Sequence, residues 1–149
     1  MSVFGTRYLV DTNALSRLRL QRRASNFFLT NAMIPSEVLH EASGFPDLQP
    51  LSQIEYVTTP SVLRWLVTVM ASVPADDTDL VNLYLNQGGA DPLMVACALD
   101  ALDRETQHLD PLDWVIVTGD KAVRAKADEF GIRVLTHTQF ADLIDRSES

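Results

Sequence analysis

The chain has 149 residues, the size of one ordinary domain, and its 46% apolar and 21% charged content belongs to a globular protein rather than a disordered one. Lys and Arg number 12 against 20 Asp and Glu; a net charge of −8 argues against a basic module that grips duplex nucleic acid by neutralising phosphates. A lone Cys97 has no disulfide partner and no companions for a thiolate metal site, which excludes zinc-finger and secreted disulfide-scaffold classes and makes the cytoplasm the expected compartment. The opening segment MSVFGTRYLVD reaches an acid after a short apolar run, and no apolar run approaches membrane-spanning length, so a soluble, unprocessed chain is expected.

In chain order, short apolar segments predict strands at Tyr8 to Val10, Ala32 to Ile34, Ile54 to Thr58, Trp114 to Thr118 and Ile132 to Leu135. Helical patterns separate them, over about 13–29, 36–43, 61–73, 77–87, 91–105, 121–130 and 138–146. The clearest punctuation, SGFPDLQP at 43–50 and HLDPLDW at 108–114, is too short for an interdomain hinge, and no repeat or linker divides the chain. One domain over 1–149 is therefore expected: an α/β fold with a mostly parallel sheet of about five strands, helices covering both faces. The helix beginning near Asp91 is apolar on nearly all sides until Asp100 and should be enclosed.

Acids recur at the junctions of these elements. Asp11 follows the first strand directly, and Asp120 follows the strand that ends at Thr118. Asp91 precedes Pro92, the residue type that favours the first helical turn, so Asp91 is placed to cap that helix. Glu41 flanks the apolar face formed by Val38, Leu39 and Ala42, whereas Glu37 points away from it. Taken singly, each aspartate reads as a cap or turn former and the glutamate as a solvated side chain. Taken together at one edge of a sheet, several carboxylates could not all stay charged and close without a cation, and hard oxygen donors favour Mg²⁺ or Mn²⁺.

The pieces YLVDTNALSRL at 8–18, IPSEVLHEA at 34–42, ADPLMVACAL at 90–99 and VIVTGDKAVRAKADEFGIRVL at 115–135 make the chain resemble, almost end to end, the PIN-domain family and its VapC-like toxin ribonucleases. That resemblance implies a three-layer α/β/α sandwich and metal-dependent hydrolysis of RNA with one or two Mg²⁺ or Mn²⁺ ions. It places the acidic metal-binding and catalytic residues on Asp11, Glu41, Asp91 and Asp120, with Asn13 and Thr118 hydrogen-bonding around them. The partners it implies are an RNA substrate, a cognate antitoxin and a second copy in a homodimer. The overall acidity suits a basic antitoxin segment inserting toward Asp11 and Asp120.

Two alternatives stand beside this expectation. A haloacid-dehalogenase-type phosphatase also has an Asp after its first strand and a late VTGDK, but it needs a second Asp where Asn13 stands. A catalytically silent interaction module of the same fold would leave the acids as caps. Arg17, Arg19, Arg22 and Arg23 form the one dense basic cluster, read either as a solvated helix face or as contacts for RNA phosphates; Lys121, Arg124 and Lys126 form a smaller basic rim. Asp76, Asp77 and Asp79 read as helix-start or surface acids, with an auxiliary metal role as the other possibility, and Asn86-Gln87-Gly88-Gly89 reads as a helix stop. His40, His108 and His137 show no ligand spacing and are assigned to structural or surface roles; Cys97 is expected to pack as a small hydrophobe, and Phe27, Phe28, Trp65 and Met70 as core or interface residues.

Overall fold

The computed structural model describes residues 5–72 and 90–148, so the helix expected over 77–87, Asp76, Asp77, Asp79 and the 86–89 stop lie outside the described residues. In chain order the elements are β1 (Thr6–Val10), α1 (Thr12–Arg23), α2 (Asn26–Asn31), β2 (Ala32–Pro35), α3 (Ser36–Glu41), α4 (Leu48–Ser52), β3 (Glu55–Tyr56) and α5 (Pro60–Ala71). They continue with α6 (Ala90–Glu105), β4 (Asp113–Val117), α7 (Lys121–Glu129), β5 (Arg133–Leu135) and α8 (His137–Glu148). The five strands form one parallel sheet in the order β3-β2-β1-β4-β5. Both central strands read as apolar runs because helices bury them on both faces: Leu9, Val10, Val115, Ile116 and Val117 are fully enclosed.

Helices α1, α2 and α8 pack together on one face of the sheet, and α5, α6 and α7 on the other, which makes a three-layer α/β/α sandwich. On the first face Tyr8, Phe27, Phe28 and Phe140 interlock, with the Tyr8 and Phe140 rings 4.8 Å apart. On the second, Tyr56 meets Trp114 edge-on at 5.5 Å beside α6, whose Leu93 to Ala98 stretch is buried as its sequence requires. Cys97 is fully buried there, and burial followed by the nearby charge of Asp100 pushes its thiol up to about 12, so it packs as a small apolar group. Trp65 is half-buried against the same core.

The helix expected over 13–29 is two helices. Ser25 ends the run by capping α2, its hydroxyl accepting from the Phe28 N–H at 3.2 Å, and the chain turns between Arg23 and Asn26. Within α1 itself Arg19 leaves the helical region, at φ 68° and ψ 166°. The Pro-containing stretch 48–52, which overlaps the punctuation read at 43–50, forms the short α4, and the strand expected over Ile54 to Thr58 is reduced to β3, Glu55–Tyr56, at the edge of the sheet. No described helix is long and apolar enough to cross a membrane.

Candidate active site at the carboxyl edge of the sheet

In a parallel sheet every strand ends at the same edge, and the helices that follow begin there. Asp11 leaves β1 at this edge, its N–H donating to Val117 O of β4 at 3.2 Å, and its side chain caps α1 by accepting from the Ala14 N–H at 2.8 Å through Oδ1. Its other oxygen accepts the hydroxyl of Thr118, which is fully buried at the end of β4. Thr118 Oγ in turn accepts the Asp120 N–H at 3.1 Å, and Asp120 Oδ1 caps α7 by accepting from Val123 N–H at 3.0 Å. The Asp11 and Thr118 side chains and the Asp120 backbone N–H therefore form one connected arrangement across two adjacent strands.

Asp11 is 5% exposed. Burial pushes its carboxyl above the usual aspartate range; hydrogen bonds from Thr118 and Ala14 oppose the rise, the charge of Asp120 adds to it, and His137 counters it. Such a carboxylate is incompletely compensated by its own protein surroundings. Glu41, at the end of α3 and exposed, is tied to the same edge by Thr12, whose hydroxyl donates to Glu41 Oε1 at 2.8 Å.

A cleft of about 300 Å³ opens here between Asn13, Ala14, Arg17, Gly119, Asp120 and His137. Asn13 and Arg17 are exposed on the first turns of α1, and His137 stands at the start of α8, after β5. The backbone of Asp91 belongs to the first turn of α6, which begins one residue earlier, at Ala90, so Asp91 lies inside the helix rather than before it. Glu105 fixes the opposite end of α6 to the start of β4, accepting from Leu112 N–H at 3.0 Å and Trp114 Nε1–H at 3.3 Å. A helix of 16 residues rises roughly 24 Å, more than a five-residue strand spans, so its first turn lies toward the edge where β4 ends. Among the described residues no three His, Cys, Asp or Glu side chains are grouped closely enough to hold a metal ion.

The arginine cluster does not act as one surface. Arg23 is buried, paired with Asp47 through two hydrogen bonds of 2.9 and 3.0 Å, donating to Leu15 O, and stacked over Phe45 with its guanidinium carbon 4.5 Å from the ring centre. It holds α1 to the loop before α4, and the guanidinium keeps Asp47 below the usual carboxylate range. Arg22 is engaged by Asp145 of α8 in a similar two-bond pair. Of the two readings of the cluster, a solvated helix face and contacts for RNA phosphates, neither fits Arg23, which is internal; Arg22 is bound to α8, Arg19 is exposed away from the cleft, and of the four Arg17 alone lines it. Lys126 likewise leaves the expected basic rim, since it is buried and bonded to Glu129 and to Ser72.

Two residues at the site escaped the sequence reading. His137 occupies the strand-end junction after β5, the same kind of position that drew attention to Asp11 and Asp120. Thr12 follows Asp11 directly, but its bond to Glu41 spans 29 residues and has no local signature. No family model matches the chain, and no curated protein matches it either.

Proposed function

We propose that this edge is the active site of a metal-dependent ribonuclease that hydrolyses RNA phosphodiester bonds, with Asp11, Asp91 and Asp120 holding one or two Mg²⁺ or Mn²⁺ ions and Glu41 completing the site. The observation that supports it best is the buried Asp11, joined to Asp120 through Thr118 with no described cation-bearing side chain bonded to either carboxylate. The carboxylate oxygens of Asp11, raised in proton affinity by burial, suit a hard divalent ion, which would supply positive charge there. When bound, such ions lower the pKa of water, offset the phosphate charge and stabilise the leaving oxygen.

The chain's own residues supply the remainder. Thr118 fixes the rotamer of Asp11 and the start of α7 at once, so both carboxylates are oriented before substrate arrives. Arg17, exposed on the cleft wall, pairs with a phosphate, and His137 and Asn13 offer hydrogen bonds to phosphate or sugar oxygens. Glu41, steadied by Thr12, accepts the proton released by the attacking water. In this reading the enzyme is the toxin of a toxin–antitoxin pair, and a basic antitoxin segment inserted between Asp11 and Asp120 silences it by occupying the cation site.

The test incubates the purified protein, freed of any bound partner, with structured and unstructured RNAs in Mn²⁺, Mg²⁺ or chelator, beside Asp11→Asn and Asp91→Asn. Cleavage only with metal and only by the unaltered protein is expected. Cleavage that survives chelation and both substitutions rejects the mechanism, and turnover of phosphate monoesters without RNA cleavage transfers support to the phosphatase.

A further inference from the structure

Beyond Asp120 the surface changes sign. A groove of about 610 Å³ runs between α7 and β5, with Lys121, Arg124 and Arg133 on its walls, Asp128 as the one acid among its described residues, and Ile132 and Val134 in its lining. In a chain of net charge −8, three cations against one acid make this a local positive surface. The guanidinium of Arg133 is tied to Asp113 at 2.9 Å. Lys121 and Arg124 are exposed, stand one turn apart on α7, and form no ion pair among the described residues.

The groove begins next to the cleft in the chain: Asp120 lines the cleft and the following residue, Lys121, lines the groove. A polymer with its scissile bond in a cleft of about 300 Å³ must continue across a neighbouring surface, and this one offers cations at the point of exit. We propose that the groove holds the sugar–phosphate backbone of single-stranded RNA flanking the bond that is cut, with Lys121 and Arg124 each pairing with a phosphate. This rests on the ribonuclease reading of the cleft. Among the described residues the lining contains no aromatic side chain on which a base could stack, which favours contact to the backbone, a contact that carries no sequence information. An acidic peptide adding to the exposed edge of the sheet fits less well, since β5 offers only the three residues Arg133–Leu135 for strand pairing.

Anisotropy of a labelled RNA of about ten nucleotides, measured in chelator, reads binding apart from cleavage. The double variant Lys121→Gln/Arg124→Gln should bind on the order of 10-fold more weakly, and its salt dependence should fall by about 0.7 per lost contact. Lys121→Arg/Arg124→Lys should restore both, and a label on about three nucleotides should show little difference between the proteins. Unchanged affinity and salt slope in a folded double variant overturn the proposal, as does a polyglutamate peptide binding the groove where RNA does not. Groove-dependent binding by a protein that never cleaves RNA in Mn²⁺ leaves the groove standing and removes the ribonuclease reading; cleavage by both proteins with equal binding does the reverse.

Discussion

Two buried aspartates set the candidate site at the sheet edge against the structural interior. Asp100, in the middle of α6 and 1% exposed, accepts from Tyr56 OH at 2.7 Å and Ser61 Oγ at 2.5 Å and pairs with Arg104 at 3.3 Å. Burial, then the bond to Asp100, pushes the Tyr56 hydroxyl up, so that group stays a proton donor. Asp11 is nearly as buried, yet its donors are one hydroxyl and one backbone N–H, and its charged neighbours include another acid. The difference teaches that burial alone does not mark a site. A buried acid with neutral donors and a cation joins elements together, whereas one without a bonded cation, at the sheet edge beside a cleft, is the one proposed to receive a metal ion.

The largest expected effect lies on the Asp11 side. Asp11→Asn preserves the cap of α1, since Asn caps as well as Asp, but should lower RNA cleavage on the order of 10²–10³-fold in single-turnover assays. Asp100→Ala should separate the other way. It orphans the buried Tyr56 hydroxyl and the partly buried one of Ser61 and should cost about 3 kcal/mol in urea unfolding, while cleavage per folded molecule stays near normal. If both substitutions chiefly impair stability, the contrast fails.

Thr118→Val tests the link between the two acids and comes next. The isosteric change removes the hydroxyl that Asp11 accepts and that receives the Asp120 N–H, and it should reduce metal affinity or cleavage by about 10–100-fold. The pH dependence of the metal-free protein should show the smallest effect. Because the folded carboxyl of Asp11 titrates above its unfolded value, its stabilising contribution is full below the unfolded pKa of about 3.9 and is lost as pH rises through the folded pKa. Metal-free Asp11→Asn should therefore gain stability relative to the unaltered chain as pH is raised through that window. Asp47, held down by Arg23, works in the opposite sense, its contribution being lost as pH falls through its lowered pKa.

The sequence made the strand-end aspartates visible because a parallel sheet delivers Asp11 and Asp120 to one edge from local pattern alone: an apolar run, an acid, then a helix. It also signalled the enclosed α6, since only a helix covered on all sides can be apolar from Leu93 to Ala98. What stayed hidden was pairing across the chain. Arg23 looks like any member of a basic cluster until Asp47 and Phe45 are brought to it by tertiary packing, and Asp100 looks like the polar end of an apolar run until Tyr56 and Ser61 surround it. The division of 13–29 was more legible: Ser25 after Ala24 is an ordinary cap signal, overridden by the helical pattern on either side.

Calorimetric titration of Mn²⁺ into the metal-free protein, beside Asp11→Asn and Asp100→Ala, tests the contrast at its centre. The account predicts saturable binding that Asp11→Asn weakens at least about 10-fold and that folded Asp100→Ala retains, because only Asp11 supplies an oxygen to the ion. Equal Mn²⁺ binding by the unaltered protein and Asp11→Asn, or no binding by either, would contradict it.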